Sequence, residues 1–232
     1  MRPAGQDDPV PAEHRDPSTD VLIVRHGEVV PAHPDRPHTR LEDGQGDPPL
    51  SPLGRTQAEA VGRRLRDVGV DAVYVTTLRR TLETAQPLLD ATGLPPRVEP
   101  DLRELHLGEW EDGLVLQRLA QGDPVAARVV AEQRWDLIPG AEPAASLTAR
   151  VRAALQRIAA AHPGERVAVF THGGVVAQAL ALATGAPPFA FLTGRNASLS
   201  QVVLAGERWT VRRFNDTAHL ADDLSRVGVP LT

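Results

Sequence analysis

Two short segments hold the residue types from which chemistry is made: Arg25-His26-Gly27-Glu28 and Thr171-His172-Gly173-Gly174. Each histidine follows an apolar run, Val21-Leu22-Ile23-Val24 in one case and Val167 to Phe170 in the other, and each precedes glycine. Near neutrality an imidazole serves as nucleophile, base or hydrogen-bond donor. A guanidinium beside it presents a rigid fork of donors that matches phosphate oxygens. Glycine lets the backbone turn close to a bound group. A helix starting after Gly173-Gly174 would aim free N–H groups at an anion. The residue types point to an anion, phosphate above all, gathered between two strand ends.

Composition narrows the chemistry further. The 232 residues include no Cys, and every one of the 25 basic residues is Arg. Without Cys there is no disulfide framework, thiolate metal site or thiol nucleophile. Without Lys there is no Schiff base and no P-loop lysine. With 30 acidic residues the net charge is -5, which argues against nucleic acid or an acidic membrane as the main partner. No apolar run approaches the roughly 18 residues of a membrane span. Met1 to Asp20 contains no apolar core of a secretory signal, so the expected address is cytoplasmic.

The elements that must position the two histidines follow from periodicity. Val21 to Val24 and Val167 to Phe170 read as strands buried on both faces. Asp71 to Thr76 is a further strand, Arg97 to Glu99 a short one, and Leu199 to Leu204 with Trp209 to Phe214 a hairpin across Ala205-Gly206-Glu207-Arg208. Ser51-Pro52 is the N-cap and first position of a helix striped by Ala58, Val61, Leu65 and Val68 and ended by Gly69. Leu78 to Ala91, Leu147 to Ile158 and Val175 to Thr184 are helices, the last closed by Gly185. Strands alternating with helices predict an α/β fold, a three-layer α/β/α sandwich around a mostly parallel sheet. Residues 1–19 read as a disordered arm, 20–220 as one domain and 221–232 as a tail. Residues 105–145, with Trp110 and Trp135, read as an irregular or helical insertion that caps the strand ends. The long loop from Val29 to Leu50 reads as functional or mobile.

Taken in order, these segments resemble the histidine phosphatase superfamily, the phosphoglycerate-mutase-like fold, on its phosphatase branch. Arg25-His26-Gly27-Glu28 matches its signature, and Gly44-Gln45-Gly46 through Ala58 resembles its loop and helix start. Thr76-Thr77-Leu78-Arg79-Arg80-Thr81-Leu82-Glu83-Thr84-Ala85 resembles the segment with the second phosphate-binding arginine, which falls on Arg80. Leu102 to Glu111 resembles the acid-bearing segment; the carboxylate falls on Glu104, with Glu109 and Glu111 of the same stretch as the alternatives. The resemblance implies that His26 attacks phosphorus to form a phosphohistidine. It implies that Arg25, Arg80 and His172 stabilise the transferring group and that Glu104 is the acid and base. Gly173, Gly44 and Gln45 are implied as further phosphate- or substrate-binding positions. No metal or cofactor is implied, and a homodimer is left open.

The chain departs from the family pattern at Val29 and Ala32, where polar residues are usual. His33, Arg36, His38 or Arg40 would be the substitutes; a solvated loop is the alternative. His106, His162 and His219 read as structural or solvated, and Asn196-Ala197-Ser198 and Asn215-Asp216-Thr217 as turn and strand-edge residues. The functional expectation is a metal-independent hydrolase of a small soluble phosphate ester. A cofactor-dependent mutase is the alternative, its carboxylate-holding cations to be sought among Arg118, Arg128 and Arg134. A non-catalytic binding member of the fold and a phosphoprotein phosphatase are the other readings.

Overall fold

A computed structural model of the chain describes residues 17–32, 38–111 and 113–220. Most of the arm assigned to residues 1–19, the tail at 221–232, and His33 and Arg36 lie outside the described residues. Six strands form one sheet in the order β3-β2-β4-β1-β5-β6: β1 Thr19–Arg25, β2 Ala72–Val75, β3 Pro96–Val98, β4 Arg166–Thr171, β5 Leu199–Ala205 and β6 Arg208–Asp216. The β3-β2-β4-β1 half is parallel, and β5 and β6 extend it antiparallel. The expected three-layer α/β architecture with a mostly parallel sheet is therefore the observed one.

The apolar runs of the central strands are continuous because both faces are covered. Val21, Ile23, Val167 and Val169 pack with Val151 and Leu155 of α5 (Ala144–Ala161) and Leu180 of α6 (Gly173–Thr184). Leu22, Val24, Ala168 and Phe170 pack with Val61 and Leu65 of α1 (Pro52–Leu65) and Leu88 of α2 (Arg79–Thr92). Alternation along a strand sends neighbours to opposite faces, so one run serves two cores.

Local signals explain the helix limits. Ser51 accepts from the Gly54 N–H at 3.0 Å and caps α1, with Pro52 at its first position. That helix stops at Leu65, a turn before the expected end, yet Val68 still packs on the core from the turn that follows. The apolar stripe outlasts the helix because burial does not require helical backbone. Gly93 and Gly185 take left-handed backbone to close α2 and α6. Residues 105–145 contain α3 (Leu114–Ala120) and α4 (Pro124–Glu132), which build a separate small core from Trp110, Val115, Ala126, Val129 and Ile138. Among the described residues no helix is long and apolar enough to cross a membrane.

Candidate active site

Arg25 and Thr171 are register partners on the adjacent parallel strands β1 and β4, and the His26 N–H donates to the Thr171 carbonyl at 2.9 Å. The next residues, His26 and His172, therefore leave the sheet together at its carboxyl edge, where open α/β sheets bind ligands. Their ring centroids are 5.2 Å apart with planes at 61°.

His26 is buried and held from several sides. Its carbonyl accepts from the Asn196 side-chain amide and from the Ala197 N–H, each at 3.1 Å, and the following Gly27 N–H donates to Thr84 Oγ1 at 2.9 Å. Nδ1 lies 2.7 Å from the Gly27 carbonyl. A carbonyl can only accept, so the neutral ring carries its proton on Nδ1 and leaves the lone pair on Nε2. Burial, then Arg80, then Arg25 hold the pKa well below the ordinary value of 6.5, against the Gly27 hydrogen bond that raises it. A lone pair on Nε2 at neutral pH is the state that a nucleophile needs.

His172 caps α6 and is fully buried. Its Nε2 is 3.0 Å from Thr76 Oγ1, which also accepts from the Leu78 N–H. Nδ1 has no hydrogen-bond partner among the described residues. Burial, followed by Arg80, His26 and Arg25, again pushes the pKa well below 6.5.

Two guanidiniums flank the rings. Arg25 donates to the Gly194 carbonyl, and burial lowers its pKa while Glu104 raises it and Arg80 lowers it. Arg80, in the first turn of α2, is buried and donates to the Gly46 carbonyl at 3.1 Å, whereas Arg79 is exposed and pairs with Asp47. The Glu104 carboxylate accepts from its own neighbour Leu105 N–H at 2.9 Å and from Gly174 N–H, in the first turn of α6, at 3.3 Å. Its backbone carbonyl accepts from Gln45 Nε2 and from Arg150.

A cavity of about 770 Å³ is lined by Arg25, His26, Arg80, Glu104 and Gln45 together with residues of the 29–48 and 105–135 loops. His172 does not line that cavity. Gly173 packs against Arg25, where an added Cβ would come 3.3 Å from the guanidinium carbon, and lines an adjoining recess with Arg25 and Glu104. Gly44 does not line this cavity; at φ 87° it closes a turn by donating to the Leu41 carbonyl, and the loop presents Gln45 and Gly46 there. Of the substitutes considered for the missing polar residues, His38 lines the cavity and reaches the Val30 carbonyl at 2.9 Å, while Arg40 is exposed and donates to the Gly44 carbonyl.

Several residues were not anticipated from sequence. Asn196, assigned to a turn, lines the cavity and braces His26. Arg150 of α5 gathers the carbonyls of Asp101, Arg103 and Glu104 while pairing with Glu142. Thr76 orients His172. Glu111, a neighbour in the acidic stretch, also lines the cavity, buried and accepting from the Leu107 N–H at 2.7 Å. Among the described residues no group of three or more His, Asp or Glu is arranged to hold a metal ion.

An anion lying between Arg25 and Arg80 would meet a histidine lone pair, with the Glu104 carboxylate on the wall of the same cavity. That is the arrangement of an α/β enzyme acting on phosphoryl groups. The model of the histidine phosphatase superfamily (branch 1) matches residues 21–217, and the chain belongs to that superfamily. Phosphoglycerate mutase-like protein 4 of Arabidopsis thaliana is 35% identical over 210 residues, covering 88% of this chain and 87% of its own. A metal-independent phosphoserine phosphatase of the same plant is 34% identical over 207 residues, covering 88% and 84%. The solved structure of a mycobacterial glucosyl-3-phosphoglycerate phosphatase superposes with a TM-score of 0.70 at 28% identity, over 86% of this chain and 100% of that one.

Proposed function

We propose that the protein is a metal-independent phosphomonoester hydrolase working on a small phosphate ester through a phosphohistidine at His26. The observation that carries this reading is the Nδ1 contact to the Gly27 carbonyl, which leaves the Nε2 lone pair of a neutral imidazole beside two guanidiniums. In the first step Nε2 bonds to phosphorus as the ester P–O bond breaks. Glu104 gives its proton to the departing alkoxide, and the alcohol leaves. In the second step Glu104 takes a proton from water, whose oxygen bonds to phosphorus as the P–N bond breaks, and phosphate is released. Arg25 and Arg80 bind the equatorial oxygens, where charge is concentrated, and His172, packed edge to face on His26, completes the group around them. Residues 105–145 serve as a cap within a domain running from 20 to 220.

Two of the similar proteins named above are phosphatases, one of them metal-independent, and they support hydrolysis of a phosphate ester; the third is named as mutase-like. The mutase alternative gains no support from the cap. Arg118, Arg128 and Arg134 lie off the cavity wall and pair with Asp123, Glu132 and Asp136 of their own segment. Phosphate release from p-nitrophenyl phosphate, with and without EDTA, tests the reading alongside His26→Ala. Activity that persists in EDTA and vanishes in the variant is expected; full activity in His26→Ala overturns it.

A further inference from the structure

A second cavity, of about 380 Å³, lies along α5 and α6 and falls within the size range of small-molecule sites. α5 leads into the start of β4 and α6 leaves its end, so both helices run away from the carboxyl edge of the sheet. Ala144, Thr148 and Arg152 of α5 line the cavity at four-residue steps, as do Gly174, Gln178 and Leu182 of α6, each step rising about 6 Å. The cavity thus extends about two turns down the helices from Gly174, whose N–H meets Glu104. Trp135 and Phe189, with ring centroids 4.8 Å apart, form part of the facing wall. Neither His26 nor Arg80 lines it.

Two polar groups in this cavity are not used by the fold. Gln178 is only 5% exposed, and its side-chain amide has no hydrogen-bond partner among the described residues. Buried amides are nearly always paired, because losing water without gaining a partner is costly. Arg152 forms no ion pair among the described residues; its guanidinium carbon lies 5.9 Å from the Trp209 ring centroid. Arg134, the other guanidinium on the wall, already donates twice to Asp136. A carboxylate accepts from both a guanidinium and an amide N–H.

We infer that this cavity is a second ligand site, which takes a small organic carboxylate with an apolar body. The carboxylate is received by Arg152 and the Gln178 amide, and the body is buried against Leu105, Leu147 and Phe189. Leu105 and Gly174 are on its wall, and their N–H groups are the two that hold the Glu104 carboxylate, so an occupant touches the residues that position it. Binding there does not depend on the hydrolase reading, and the two stand or fall separately.

The probe is 3-phenylpropionate, added to the full chain and followed by amide NMR spectra and calorimetry, with 3-phenylpropan-1-ol as its uncharged counterpart. Saturable binding with a Kd of about 1 mM or tighter is expected. The amide signals of Leu105, Gly174 and Gln178 should be among those that shift most. The alcohol should bind about tenfold more weakly. Arg152→Gln, at an exposed position, and Gln178→Leu, of similar size, should each weaken binding by about fivefold or more. Gln178→Leu should not lower the thermal midpoint, since it removes an amide that has no partner. Saturating inorganic phosphate should not displace the probe. Displacement by phosphate, or affinity unchanged by both substitutions, puts the carboxylate elsewhere and overturns the inference. No saturable binding, or equal binding of the alcohol, overturns it as well. So does a clear fall in the midpoint of Gln178→Leu, which would mean that the amide is already engaged in the fold.

Discussion

His26 and His172 meet edge to face with 5.2 Å between ring centroids because Arg25 and Thr171, the residues just before them, are paired in register on neighbouring strands. Two imidazoles this close, under two guanidiniums, cannot easily both be charged. Each is held neutral chiefly by burial and then by Arg80. The Hε1 resonances of both histidines are therefore expected to stay unshifted as pH is lowered from 7.5 through 6.5, with protonation only well below. NMR titration, with signals assigned by His26→Asn and His172→Asn, checks this. A midpoint near 6.5 for either ring contradicts it.

The same depression has a stability consequence. In the unfolded chain these histidines take up protons around pH 6.5, whereas in the folded chain they do so only well below. The unfolded state thus binds more protons as pH falls below 6.5, and stability, complete above that value, is lost progressively toward the folded-state pKa. Each group contributes a slope of at most about 1.4 kcal/mol per pH unit. His219, lowered chiefly by burial, acts in the same direction. Urea midpoints measured from pH 7.5 to 5.5 should fall, and should fall less steeply in His172→Asn. The slope is the readout, so a change in overall stability of the variant does not obscure it; an unchanged slope contradicts the account.

Gly174 lets helix α6 approach Glu104, the proposed acid. An added Cβ there would lie 2.7 Å from Glu104 Oε1, and only the end of that flexible side chain has to move. Gly174→Ala should leave the thermal midpoint nearly unchanged, because alanine suits a helix. It should lower kcat on an alkyl phosphate by roughly tenfold, a part of what a general acid contributes. On p-nitrophenyl phosphate, whose leaving group needs no proton, the loss should be small. Comparison of the two esters is the check, and equal losses on both would count against Glu104 as the acid.

What the sequence made legible was what local pattern encodes. The two strand-end histidines stand out because each follows an apolar run by one residue and precedes a glycine, and Arg80 because the segment from Thr76 to Ala85 resembles the family's. Arg150 could not be read, since its fork joins carbonyls at 101, 103 and 104 from a different helix. Asn196 looks like any turn residue until the β1–β5 pairing brings it under His26. Gly44 and Gly46 sit two positions apart with identical chemistry; only the folded loop distinguishes the one that turns from the one whose carbonyl meets Arg80. The short helices α3 and α4 were hidden because their segment divides its apolar residues between a small core and the cavity wall.

The proposed mechanism turns on a covalent bond between phosphorus and His26. Glu104→Gln with p-nitrophenyl phosphate exposes it best, because the first step then needs no acid while the second has lost its base. A burst of about one p-nitrophenol per chain is expected, with an acid-labile, alkali-stable phosphate that peptide mapping by mass spectrometry places on His26. Turnover without a burst or a phosphohistidine, or phosphate found on another side chain, would contradict it.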